Sequence, residues 1–274
     1  MNPIKHALAR VFDVSGLNAA LLALQRAAFR PHIRCINYHD VLPEHRASFE
    51  GQLRFFAKHF APVGREELLA FHAGNWTEEK PGILLTFDDG LRSHAEVAAP
   101  LLEKYGMTGW FMVPAAVVRN APGGELWDHT VDEETLDYDG LRRLDEKHVI
   151  GCHTFGHRRL EASLSPEEIA WEIPAAKRKL EEWLGHTVDV FAWVGGEEWT
   201  YSAAAAKAIR EAGFRISFMT NSHLFRPGDD LLQIQRSNIE AHFPDVVARF
   251  GLSGFFDVTY GPKRRRVNQI TAAS

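Results

Sequence analysis

The chain has 274 residues, 45% hydrophobic and 24% charged, with a formal net charge of −5 and a pI near 6.3. These values suit a globular α/β chain with a sizeable core and show none of the basic surplus of a general nucleic-acid binder. Two cysteines, Cys35 and Cys152, rule out a disulfide-stapled scaffold, so packing must supply the stability.

Residues 1–30 predict one or two amphipathic helical stretches, interrupted by Asp13, Gln25 and Arg26. No run of 18 apolar residues exists, so no transmembrane helix is expected. This extension is expected to dock on the domain, with contact to a membrane surface as the other reading. A strand follows at 33–38, then helices at 49–60 and 66–71, and a strand at 83–87. A helix at 93–105 stops at Gly106, a strand occupies 109–113, and 115–137 forms a long polar insertion. A helix at 141–147 and a strand at 148–152 come next. Ser165, Pro166 and Glu168 spell a capping box that opens a helix reaching 184. Strands at 188–194, 214–219 and 231–235 alternate with helices at 202–212 and 244–250. The basic run Lys263–Arg264–Arg265–Arg266 reads as a solvated tail.

This alternation predicts a parallel sheet covered by helices, either doubly wound or closed into a barrel. Both place functional loops at the C-terminal ends of strands. The segments Asp88–Asp89 and His153–Thr154–Phe155–Gly156–His157 sit at two such ends. Two histidines four residues apart reach one point if the segment turns helically. An aspartate with two histidines is a facial donor set for a divalent metal. Such a metal would neutralise one carboxylate and leave its neighbour close by as a base. Cys152, although beside His153, reads as a small buried residue at a strand end.

Here the chain resembles the polysaccharide deacetylases, the NodB-like carbohydrate esterases. Thr86–Phe87–Asp88–Asp89–Gly90 matches their first motif, and His153 to His157 their second, H-[ST]-x-x-H. Ile36–Asn37–Tyr38–His39–Asp40 is similar to the segment of the exopolysaccharide-type branch. The resemblance implies a distorted (β/α)7 barrel over residues 31–262, between an extension at 1–30 and a tail at 263–274. It also implies metal-dependent removal of acetyl groups, mostly N-acetyl, from a carbohydrate. Position by position, Asp88 becomes the general base, and Asp89, His153 and His157 the metal ligands. Zinc is the default metal, with cobalt, nickel or manganese also compatible with such a set.

The third motif departs from the family pattern. Phe191–Ala192–Trp193–Val194–Gly195–Gly196 lacks the arginine that in the family orients the base. Arg236, after the last predicted strand, is the substitute expected to pair with Asp88. Gly195 is expected to expose a backbone N–H, and Trp193 and His39 to face substrate. Trp110, Trp127 and Trp199 are further candidates for sugar stacking. No general acid is evident, since His223 and His242 lack the right context. A metal-dependent amidohydrolase for a small non-sugar amide and an inactive sugar-binding barrel remain alternatives. A glycosidase using the two aspartates would leave both histidines unexplained. The absence of an export signature points to the cytoplasm, at the inner membrane face if glycan assembly is the setting.

Overall fold

The computed structural model describes residues 3–123 and 134–272. Eight parallel strands run in chain order: β1 (Ile33–Tyr38), β2 (Ala61–Pro62), β3 (Gly82–Phe87), β4 (Gly109–Val113), β5 (Val149–Cys152), β6 (Val190–Ala192), β7 (Ile216–Met219) and β8 (Ile234–Asn238). β1 pairs with both β3 and β8, so seven strands close into a barrel. The two-residue β2 occupies the edge of β3 at Gly82–Ile83, below the point where β4 begins pairing at Leu85. The expected (β/α)7 barrel is therefore observed.

Strand alternation builds two cores from one sheet. Cys35, Leu84, Trp110, Met112, Val190, Ala192, Ile216, Phe218 and Ile234 fill the lumen. Their neighbours Ile36, Tyr38, Leu85, Phe87, Phe111, Val113, Cys152 and Phe191 face the helices. On β5 at Gly151 an added Cβ would lie 2.5 Å from Met112 Sδ, so a side chain there would have to displace the end of Met112 in the lumen. Continued past the lumen core, the inward register holds Asn37, Thr86, Asp88, His153 and Arg236.

Helices α1 (Pro3–Val14) and α2 (Leu17–Ala28) precede the barrel and turn at Gly16, whose φ of 75° is left-handed. Phe12 packs edge-on against Phe250 at 4.8 Å, and Gln25 Nε2 donates to the Leu252 carbonyl at 3.1 Å. The outer helices are α3 (Arg46–His59), α4 (Arg65–His72), α5 (Ala99–Lys104), α6 (Tyr138–Asp145), α7 (Pro166–Ala170), α8 (Ala176–Leu184), α9 (Ala203–Glu211), α10 (Asp245–Leu252), α11 (Phe255–Thr259) and α12 (Gly261–Thr271). The capping box at Ser165 forms as read, and a π-helical turn at Trp171–Ala175 joins α7 to α8.

Two expectations are corrected. Residues Leu231–Gln233 form a 3-10 turn capped by Asp230, so the last strand starts three residues later than its apolar residues suggested. The run Lys263–Arg266 is not a solvated tail but lies on α12, where Val267 is fully buried. Gln233 Nε2 ties that helix down through the Asn268 carbonyl at 3.0 Å.

Candidate active site

β3 delivers Thr86 and Asp88 to the lumen in alternate positions, and the Asp88 N–H donates to the Tyr38 carbonyl at 3.0 Å. Asp89 and Gly90 then adopt φ values of 78° and 61°. A left-handed aspartate is strained, and such strain gathers at functional sites. The turn brings to one cavity two carboxylates that simple strand continuation would place on opposite faces.

Each carboxylate has its own cationic or ligand-type partners. Arg236, 1% exposed, forks onto Asp88: Nη1 donates to Oδ1 and Nη2 to Oδ2, each at 2.7 Å. The same Nη1 donates to Thr86 Oγ1 at 2.9 Å. Burial alone would push the Asp88 carboxyl up, but the Arg236 charge, with His153 and the hydrogen bonds, outweighs it and holds the carboxyl below its ordinary range. The expected Arg236–Asp88 pair is present. Arg236 lies within β8 rather than after it, because the strand is shifted.

Asp89 Oδ1 lies 2.9 Å from His157 Nε2 and 3.5 Å from His153 Nε2. One donor atom from each of the three residues falls within 4.8 Å of the others, so together they could hold a metal ion. Burial raises the Asp89 carboxyl, and the two imidazoles more than reverse this, taking it far below the carboxylate range. His153 Nδ1 lies 2.9 Å from the Ala192 carbonyl. That contact selects the Nδ1–H tautomer and leaves Nε2 free to ligate. The departed third motif thus still contributes through its backbone.

The histidine segment is not the helical turn expected. Thr154 and His157 have φ values of 66° and 56°, both left-handed. Glu172, buried in the π-helical turn, accepts the Phe155 and Gly156 N–H groups at 3.0 and 2.9 Å. Thr154 Oγ1 accepts the Arg158 N–H at 3.0 Å. Two side chains therefore hold a loop that helical hydrogen bonds do not.

A cavity of about 400 Å³ opens over these groups, lined by Asp88, Asp89, His153 and His157 together with His39, Gly195 and Lys263. His39 Nδ1 is 3.0 Å from Glu240 Oε1. Burial works against its proton, but the Glu240 hydrogen bond and charge prevail and raise its pKa to about 9.

A family profile described as polysaccharide deacetylase matches residues 76–224. The chain belongs to that family. Solved structures share the fold of this family member. IcaB from Ammonifex degensii is 22% identical with a TM-score of 0.66, over 81% of this chain and 97% of that one. The Streptococcus pyogenes deacetylase PplD, in complex with acetate, is 20% identical at 0.65, over 79% and 96%. A de-N-acetylase from Aggregatibacter actinomycetemcomitans is 15% identical at 0.64, over 80% and 99%. No curated protein matches the chain.

Within this polysaccharide deacetylase, His39 and Gly195 reach the cavity as expected, and Gly195 has a φ of 85° with Thr200 Cγ2 3.0 Å from any added Cβ. Trp193 does not. It is 2% exposed and packs against Phe191 and Tyr201, because its register points out toward the helices. Trp110 is also core, donating from Nε1 to the Val63 carbonyl at 3.1 Å. Trp199 is half exposed, with Arg159 stacked 5.3 Å from its ring centre. Trp127 lies outside the described residues. His223 and His242 do not line the cavity. Sequence reasoning missed Glu172, Thr86 and Lys263, whose Nζ donates to the Gly196 carbonyl at 2.7 Å.

Proposed function

We propose that this family member is a metal-dependent hydrolase that removes acetyl groups, above all N-acetyl groups, from a sugar polymer or glycan precursor. The observation that carries this reading is the convergence of Asp89, His153 and His157 beside a separately clamped carboxylate. The donor set fits a divalent cation. One imidazole has its other nitrogen engaged by a carbonyl, and the carboxylate stays ionised. Zinc suits two imidazoles and a carboxylate, and cobalt, nickel and manganese are the alternatives to test. When bound, such an ion polarises an acetyl carbonyl and acidifies water.

The chain's own residues supply the rest. Asp88, held open by Arg236, accepts the proton of the attacking water. Water oxygen bonds to the acetyl carbon, and the carbon–nitrogen bond then breaks. His39 carries a proton at neutral pH and delivers it to the departing amine nitrogen. Gly195 has no hydrogen bond on its N–H among the described residues, and this group serves the developing oxyanion. Acetate and a free amine leave.

The test is acetate release from N-acetylated sugar oligomers and lipid-linked sugars, with metal analysis on the same sample. Release that follows metal occupancy supports the reading. Oligomer binding without release by fully metal-loaded protein would instead indicate a sugar-binding barrel. Equal turnover of simple acetamides would move the assignment to a general amidohydrolase.

A further inference from the structure

We propose that the N-terminal helix pair seats this protein on an anionic lipid surface. The inference stands on α2, which packs Leu22 against the protein but also buries polar residues and exposes leucines. The residues facing the protein include Asn18 and Gln25, both buried. The adjoining arc, at helical spacing, is Leu17, Ala20, half-buried Leu21, Leu24, Ala27 and Ala28, with no polar side chain. Leu24 is 58% exposed on that arc, and across the bend at Gly16 Val14 is 90% exposed. Of ten exposed large apolar side chains among the described residues, six fall between Leu8 and Phe29, so the exposure is concentrated here. A helix that buries an asparagine and a glutamine while leaving Leu17 and Leu24 exposed matches an apolar medium better than water.

Charge argues that this medium is a lipid surface rather than a protein groove. Residues 1–30 carry Lys5, Arg10, Arg26 and Arg30 against Asp13 alone, a net charge of +3 in a chain whose total is −5. Arg10 and Arg30 are exposed and form no ion pair among the described residues. A cationic amphipathic segment on an acidic protein is complementary to anionic headgroups, and the acidic remainder disfavours contact elsewhere. Neither helix alone is long and apolar enough to cross a bilayer; the pair together has the length and composition of a span, but the 78° bend between them and the docking of Phe12 and Gln25 on the barrel domain favour a surface position.

An independent feature points the same way. A cavity of about 300 Å³ between α2 and α3 has apolar walls from Leu22, Phe55 and Phe60, with Arg26, which donates to the His59 carbonyl, and the Arg249–Asp13 ion pair (3.3 Å) also lining it. Asn18 lines it too, 3% exposed, and neither side-chain atom has a hydrogen-bond partner. Apolar walls and an unpartnered buried amide suit the apolar part of an amphiphile and its linkage, while the charge preference rests on the exposed cations of the helix pair.

The experiment is flotation of the full chain with phosphatidylcholine vesicles, with and without phosphatidylglycerol. The wild-type protein is compared with Leu24→Glu and with Leu17→Glu/Leu24→Glu. Both leucines are solvent-facing, so circular dichroism and metal content stay as in the wild type. Wild type is expected to float with the anionic vesicles, less so at high salt, and each leucine replaced should lower partitioning by about tenfold or more. Folded wild-type protein that stays unbound would overturn the proposal, as would variants that float equally well. A wild-type dimer in lipid-free buffer that the variants convert to monomer would overturn it too, assigning the face to a second copy of the chain.

Discussion

Replacing Arg236 by alanine tests whether the fork onto Asp88 governs the site. Its side chain is fully buried and that of Asp88 is 4% exposed, so the variant strands a carboxylate in the lumen. Breaking such a buried pair costs about 3–5 kcal/mol. At roughly 2–4 °C per kcal/mol for a chain of this size, the melting temperature should fall by about 6–20 °C. Burial would then act on Asp88 against only His153 and His39 and raise its pKa. The folded value now lies below the unfolded one near ~3.9, so the stabilisation is present at neutral pH and disappears as pH falls through the folded value. The stability gap between wild type and variant is therefore largest near neutrality and narrows in acid. Turnover should drop by about 10- to 100-fold, on the order of 1.4–2.7 kcal/mol, with metal content unchanged. The acidic limb of the pH–rate profile should move to higher pH, because a less acidic carboxyl needs a higher pH to ionise. The assay combines acetate release against pH, thermal melting and metal analysis. In Arg236→Met/Asp88→Asn, with neither charge present, much of the lost stability should return even though turnover does not. A stable Arg236→Ala protein with wild-type turnover and an unmoved acidic limb would refute the reasoning.

His153→Ala and His157→Ala should each remove most bound metal while the fold persists, and native-like metal content in both would sink the ligand assignment. Asp88→Asn should keep the metal and lose turnover, whereas Asp89→Asn should weaken metal binding, and equal metal loss in both would erase the division of roles. Glu240→Gln should move the alkaline limb of the pH–rate profile from near 9 toward neutrality, because His39 loses the partner that raises its pKa, and an unmoved limb would remove His39 as the proton donor. Glu172→Ala leaves two loop N–H groups without their acceptor, so metal affinity should fall by about 10- to 100-fold, as when a residue that positions ligands is lost, and unchanged affinity would mean the loop holds itself.

Much of the site was legible because its key parts are local. Asp88–Asp89 and His153–His157 are each short and each end a strand. Arg236 was legible by a different route, since a buried base without its usual guanidinium needs another. Its strand was placed too early because Leu231 and Leu232 look like strand residues, while Asp230 in fact caps a 3-10 turn there. Trp193 was misread although the signal existed. Val190 and Ala192 face inward, so residue 193 must face the helices. The C-terminal helix was hidden by its four consecutive cations, which outweighed the spacing of buried Val267 and Thr271. Glu172 and Lys263 act on backbone groups 16 and 67 residues away, and no local pattern announces contacts of that range.

The closure of the barrel has a consequence for how the protein is made. Asp88 and Arg236 are 148 residues apart, and β1 lies between their strands in the sheet. During synthesis Asp88 emerges long before its counter-ion. Until β8 docks, β1 and β7 both present open edges, and sinking Asp88 into the lumen would bury an unmatched charge. The arrival of β8 relieves both conditions at once. Such long-range pairing is slow to form, so nascent chains spend longest with their sheet incomplete. A chain truncated before residue 234 lacks the guanidinium that shields that carboxylate most. Assembly and competence are thus a single event, and hydrolytic activity reports that the last strand has been inserted.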